Sequence, residues 1–323
     1  MSMNDTILQV KNLKTYFFTH HGVVKAVDDV SFGLRKGECL CLVGESGCGK
    51  TATALSILRL IDSPPGKIVG GEVIYHGEDL LKISDDRLRQ VRGNRIAMIF
   101  QDPQSSLNPV LTVGDQATEQ MKLHFGLKQK PATQKAIVLM EQAGIPRAGE
   151  RMKDYPHQFS GGMKQRVMIA MSLSCDPEIL IADEPTTALD ATIKAQIIDI
   201  FLEVKQKRSL SILFITHDLG TVAEIADRII VMYGGMVAEA GTALDIFDHP
   251  KHPYTLGLIN CLPSISVRRE KLTPIPGTIP SLVDPPEGCI FYPRCERHLP
   301  VCNRERPKEV VVSGEHTVAC HLY

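Results

Sequence analysis

The stretch Cys39-Leu40-Cys41-Leu42-Val43-Gly44-Glu45-Ser46-Gly47-Cys48-Gly49-Lys50-Thr51 constrains this chain more than any other. An apolar run leads directly into G-x-x-x-x-G-K-T, and Ala52-Thr53-Ala54-Leu55-Ser56-Ile57-Leu58 continues with helical character. The order predicted is strand, glycine loop, helix. Glycines let the backbone curl until successive N–H groups point inward at phosphate oxygens, and the positive end of the following helix adds to the attraction. Lys50 is then placed for the β- and γ-phosphates, and the Thr51 hydroxyl for Mg²⁺. A nucleoside triphosphate is the expected ligand.

Length allows one large domain or two smaller ones at 323 residues. A formal net charge of −1 argues against nucleic acid or an anionic membrane as a direct partner. No apolar run approaches the ~18 residues of a membrane span. Met1-Ser2-Met3-Asn4-Asp5 is too polar for a signal peptide, so a cytoplasmic location is expected, with any membrane role exercised through a partner.

The chain before the loop alternates as antiparallel strands would, over 7–13, 16–18 and 23–30. A phosphate loop alone holds a base poorly, and an aromatic face can stack on it. Phe17 is the candidate, with Tyr16 as the alternative. Beyond the loop, a charged helical piece is expected over 84–95. Ile96-Ala97-Met98-Ile99-Phe100 then reads as a strand delivering Gln101 to a loop. Residues 106–158 read as a helical insertion, with periodicity over 111–123 and 134–143.

Three further stretches carry chemistry. Ser160-Gly161-Gly162-Met163-Lys164-Gln165-Arg166 places a serine and two glycines at a helix start, a second anion site. Ile179-Leu180-Ile181-Ala182-Asp183-Glu184 is a buried strand ending in two carboxylates, Asp183 for Mg²⁺ and Glu184 to polarise a water. Asp190 precedes a helix over 195–205. Ile212-Leu213-Phe214-Ile215-Thr216, expected as the final strand, delivers His217 at its carboxyl end, the edge where ligands sit in open α/β sheets.

In order and spacing, residues 44–51, Gln101, 160–166, Asp183-Glu184, Asp190 and His217 resemble the nucleotide-binding subunit of an ABC transporter. His249-Pro250-Lys251-His252-Pro253-Tyr254-Thr255 and the cysteine-containing tail narrow this to the dipeptide and oligopeptide importers, with nickel importers close by, and most nearly to their D-type subunits. The resemblance implies an α/β fold of the P-loop NTPase (RecA-like) type. Its nucleotide-binding domain over 1–262 would carry an antiparallel β subdomain and a helical subdomain over about 106–165. A Cys-rich extension would follow over 263–323.

It also implies roles. ATP would be held by Phe17, Gly44, Glu45, Ser46, Gly47, Cys48, Gly49, Lys50 and Thr51, and Mg²⁺ by Thr51, Gln101 and Asp183. Glu184 would be the general base, with His217 on the γ-phosphate. Ser160, Gly161, Gly162 and Met163 would contact ATP bound to a partner cassette, and Asp190 would link the two sites. The family signature commonly has Gln where Met163 stands, and Met lacks the amide's hydrogen bonds. The partners implied are a second, F-type ATPase subunit forming a heterodimer, two membrane-spanning permease subunits and a substrate-binding protein. The place implied is the cytoplasmic face of the inner membrane. The cargo expected is a dipeptide or oligopeptide. Nickel chelates or other small solutes are alternatives, and a soluble ABC ATPase outside transport is a more distant one.

The tail contains Pro263, Pro274, Pro276-Gly277, Pro280 and Pro285-Pro286, and reads as too irregular for much core. Cys289, Cys295, Cys302 and Cys320, spaced C-x5-C-x6-C-x17-C, suggest a metal staple instead. The spacing resembles tails that carry a [4Fe-4S] cluster. Zn²⁺ and unliganded thiols are the other readings, with His298, His316 and His321 as substitute ligands. Nothing in the sequence aims this tail at the nucleotide.

Overall fold

The computed structural model describes residues 5–102, 106–187, 189–262, 274–283 and 285–323. The polar start at 1–4 and Pro263, both used above, lie outside them. In chain order the strands are β1 (Thr6–Thr19), β2 (Gly22–Arg35), β3 (Cys39–Val43), β4 (Gly66–Tyr75), β5 (Glu78–Asp79), β6 (Ile96–Ile99), β7 (Ile179–Asp183), β8 (Ser211–Thr216), β9 (Arg228–Tyr233), β10 (Met236–Thr242), β11 (Glu309–Ser313) and β12 (His316–Ala319). The chain divides into two units, one of residues 1–82 and 215–323, the other of 83–214.

In the first unit, β2-β1-β4-β5 form an antiparallel sheet. The sequence suggested separate strands over 7–13 and 16–18, but β1 runs through both. The two join through Thr15, which is fully buried and paired with Val27, while a register shift between Val10 and Leu13, with Asn12 left-handed at φ 46, marks a bulge inside the first. Every residue of β3 is buried, and β3 pairs parallel with β9 in the register Leu40↔Arg228 to Val43↔Val231. The segment over 212–216 is not the last strand. Gly234 and Gly235, at φ 56 and 82, turn β9 back into β10, and the tail adds β12 and β11 antiparallel at the edge of β10.

The tail therefore has a core, contrary to its composition. Phe291 packs on Tyr233 and Tyr254 with ring centroids 5.1 and 5.4 Å apart, and Val318 is fully buried. Among the described residues of the tail, Phe291, Cys302 and Val318 are its buried apolar groups, and β11 contributes none.

In the second unit, β6 and β7 are parallel, pairing Ile96↔Ile179 to Ile99↔Ala182. The insertion is helical at Val113–Phe125, Gln129–Gln142 and Ala148–Arg151. The first of these starts two residues later than its periodicity because the Thr112 hydroxyl accepts from Asp115 N–H, and it ends at Gly126, left-handed at φ 63. The charged piece shortens to Asp85–Val91, capped by Ser84. The helix expected over 195–205 lengthens to Ala191–Arg208, because Asp190 caps it and Ser209 stops it at φ 49. No helix among the described residues is long and apolar enough to cross a membrane.

Candidate nucleotide site

β3 delivers the glycine loop, and the helix Lys50–Ile57 leaves it. Two glycines are obligatory there. A Cβ on Gly44, at φ 151, would stand 2.3 Å from the Met232 carbonyl oxygen, and one on Gly49, at φ 102, 2.2 Å from that of Ala26. At these two positions the loop lies against neighbouring backbone with no room for a side chain, and Gly49 opens the helix without a side-chain cap. Lys50 is buried, and its Nζ donates to the carbonyls of Gly44 (2.7 Å) and Glu45 (3.0 Å) and contacts Cys48 Sγ at 3.6 Å. An ammonium held at the lip of a glycine loop is a ready phosphate ligand. Burial pushes the Cys48 thiol pKa up, so this cysteine behaves as a small packed group rather than a nucleophile.

The loop is also gripped from outside, which the sequence did not reveal. Glu45 N–H donates to the Tyr254 hydroxyl at 2.9 Å. The Glu45 carboxylate accepts two N–H bonds from Arg294, at 2.7 and 3.1 Å. Arg294 further donates to the Pro276 carbonyl at 2.8 Å and to the Tyr233 hydroxyl at 3.3 Å, and its side chain is only 4% exposed. The tail is therefore aimed at the phosphate loop after all. Tyr254 lies in the helix Pro253–Asn260, at the end of the H-P-K-H-P-Y-T stretch.

In the second unit, Asp183 ends β7 fully buried, and Glu184 follows at φ 46, a left-handed conformation unusual for a side chain of its size. The turn presents the Glu184 carboxylate to Gln101, whose Nε2 donates at 3.2 Å, and to Thr187, whose hydroxyl donates at 2.9 Å. Two residues singled out 83 positions apart are thereby in contact. Ser160 caps the helix Gly161–Ser172, its hydroxyl accepting from Met163 N–H at 3.4 Å. A Cβ on Gly162 would meet Ile193 at 2.7 Å. The backbone of Asp190 is positioned by its own cap bond, Oδ1 accepting from Ile193 N–H at 3.0 Å.

His217 is exposed just past β8, and the next residue, Asp218, caps the helix Leu219–Ile225. The two candidate base-stacking rings differ in their commitments. Tyr16 donates to Asp28 at 2.7 Å, Lys25 stands 5.9 Å over its ring, and burial together with Asp28 pushes its pKa up to about 12. Phe17 is half-buried beside Gly66, where a Cβ would stand 3.0 Å from its ring.

The four tail thiols are electrostatic neighbours. Burial first, and then Cys302, Cys320 and Cys295, push the Cys289 pKa up to about 11. Cys289 N–H donates to the Cys302 carbonyl at 2.7 Å. Yet no group of three or more His, Cys, Asp or Glu among the described residues stands in position to hold a metal ion. The histidines offered as substitute ligands have other partners: His316 is buried against Glu239 at 2.7 Å, His298 meets the Cys295 carbonyl, and His321 that of Glu305.

A glycine loop in the first unit, and an acidic strand end and a serine-capped helix in the second, are the parts of an ATP-binding cassette. Residues 27–187 match the ABC transporter family, and residues 238–302 match the oligopeptide/dipeptide transporter C-terminal region. The dipeptide transport ATP-binding protein DppD of Bacillus subtilis is 50% identical over 98% of this chain and 95% of its own length. The oligopeptide transport ATP-binding protein AppD of the same organism is 49% identical over 98% and 97%. Among solved structures, the post-hydrolysis dimer of the ATP-binding cassette MJ0796 bound to ADP and Pi superposes with a TM-score of 0.66 at 25% identity, covering 73% of this chain and 98% of that one. The chain belongs to the ATP-binding subunits of the oligopeptide/dipeptide ABC transporters. It is an ATPase subunit with the ABC nucleotide-binding fold.

Proposed function

We propose that the chain hydrolyses ATP to drive import of dipeptides or oligopeptides, with Glu184 as the base that activates water. The observation that carries the assignment is the Glu184 carboxylate, held in a left-handed turn at the end of a buried strand with Gln101 and Thr187 donating to one of its oxygens. Two donors on one oxygen support an oriented carboxylate, as a general base requires.

The remaining roles follow the family pattern. The loop 44–51 with Lys50 holds the phosphates, and Thr51, Gln101 and Asp183 hold Mg²⁺, which neutralises charge on the γ-phosphate when bound. His217 contacts that phosphate. Phe17 stacks on adenine, and the commitment of Tyr16 to Asp28 favours this choice. Ser160, Gly161, Gly162 and Met163 face nucleotide on a second cassette, an F-type subunit, and Asp190 connects the two sites. Permease subunits and a substrate-binding protein complete the transporter at the cytoplasmic face of the membrane. Reconstitution with those subunits in vesicles tests this. ATP-dependent peptide uptake, and a one-to-one pair of unlike ATPases by mass-resolved chromatography, are expected. A strictly monomeric, fully active protein contradicts it.

The tail supports a second reading, a thiolate staple of [4Fe-4S] type before Zn²⁺. Its support is the donor set, four neighbouring cysteines and no competing disulfide among them. Burial pushes the Cys289 thiol pKa up to about 11, so ligation as thiolate would release a proton. Iron, acid-labile sulfide and zinc analysis of anaerobically purified protein decides among cluster, zinc and free thiols.

A further inference from the structure

We propose that Arg294 is a positioning residue for the phosphate loop: its fork onto Glu45 holds the loop ready for nucleotide, so that the tail helps set ATP affinity. The inference rests on the reading that residues 44–51 bind the phosphates.

Glu45 is the second residue of the glycine loop, and both its polar ends are held by the C-terminal region. Its N–H goes to Tyr254 and its carboxylate to Arg294. Arg294 is held in turn by the Pro276 carbonyl and the Tyr233 hydroxyl, with its guanidinium 5.7 Å from the centre of the Tyr233 ring. The guanidinium is thus fixed before it meets Glu45, and a planar fork so fixed dictates where the carboxylate must lie.

Two readings compete for this contact. Arg294 could serve only as a keystone that folds the tail. A buried ion pair is a poor choice for that purpose, because desolvation offsets most of its attraction and apolar groups of equal volume serve as well. Its value lies in direction. A glycine loop loses conformational freedom when it closes on phosphates, and fixing one end beforehand removes part of that loss. The same tail also reaches the base side of the unit. Arg306 pairs with Asp28 at 2.8 Å, the residue that accepts from Tyr16, and Lys25 N–H donates to the Leu282 carbonyl at 3.1 Å. The tail therefore braces both ends of the nucleotide-binding surface of this unit.

The test is a double-mutant cycle on the full chain, reading the Kd for Mg·ATP by calorimetry. Arg294→Ala and Glu45→Ala should each weaken binding about tenfold, for Arg294 within the range for residues that couple to a site without touching its ligand. Because both remove the same tie, the double variant should be no weaker than either single one. Arg294→Lys, which keeps the charge and loses the fork, should fall between parent and alanine. Within the assembled transporter, Arg294→Ala should raise KM for ATP while kcat at saturation stays within about twofold. Glu45→Gln, at a partly exposed loop position, guards against a variant that fails to fold, and it too should weaken binding. Unchanged Kd in Glu45→Gln, additive losses in the cycle, or a fall in melting temperature with Kd intact would each overturn the proposal. Lys50→Ala separates the two levels. If it binds ATP as the parent does, the phosphate-loop reading itself fails. If it loses binding while the Arg294 variants do not, only the tie fails.

Discussion

Gln101 donates its side-chain amide to Glu184 at 3.2 Å, so the residue expected at Mg²⁺ and the residue expected to activate water share a hydrogen bond in this structure. Under the roles proposed above, Gln101 would both orient Glu184 and serve as a ligand of Mg²⁺.

Gln101→Ala should therefore lower kcat about 10- to 100-fold, as expected when a base loses its orienting partner and a metal its ligand. The fall in ATP affinity should be smaller. Steady-state kinetics at saturating Mg·ATP check this, and an unchanged kcat would remove Gln101 from the site.

Phe17→Ala should weaken ATP binding about tenfold, the scale of one base–aromatic stack. Affinity for tripolyphosphate, which has no base, should stay at the parent value. Tyr16→Phe, which removes only the bond to Asp28, should leave both affinities near the parent's. If Tyr16→Ala alone discriminated ATP from tripolyphosphate, the stacking ring would be Tyr16.

His252 should make the protein sensitive to acid. Burial lowers its pKa from 6.5 to about 4, so the folded protein keeps the ring neutral while the unfolded chain takes up a proton as pH drops below 6.5. Its contribution to stability is complete above pH 6.5 and is lost as pH falls through 4, a swing of about 3 kcal/mol at most. Its Nδ1 accepts from Tyr254 N–H at 3.0 Å, so protonation also disturbs the helix that carries the Tyr254 hydroxyl to Glu45. Melting temperatures between pH 7.5 and 4.5 should fall more steeply for the parent than for His252→Gln. Parallel curves would show that His252 is not the sensor.

The motifs of the candidate nucleotide site were legible because each is local. Glycines that no side chain could replace, a serine followed by a helix, and carboxylates at the end of an apolar run all declare themselves within a few residues. The tail was not, because its decisive contact joins Glu45 to a residue 249 positions away, and four cysteines drew attention from the arginine between them. The β9–β10 hairpin does carry a local signal, since Gly234-Gly235 after an apolar run is a strong turn signal. The capacity of the tail to extend the β10 edge had no comparable signature, since β11 and β12 are short and only partly buried.

Glu184 is proposed to activate water in an ATP-driven peptide importer. Single-turnover hydrolysis by the reconstituted transporter, comparing the parent with Glu184→Gln at saturating Mg·ATP, tests it most directly. Lys50 and the glycine loop remain intact in the variant, so ATP should bind with the parent's affinity while cleavage slows by about 10²- to 10⁴-fold, the usual cost of losing a positioned base. Cleavage at the parent rate by Glu184→Gln, with nucleotide binding unchanged, would contradict the account.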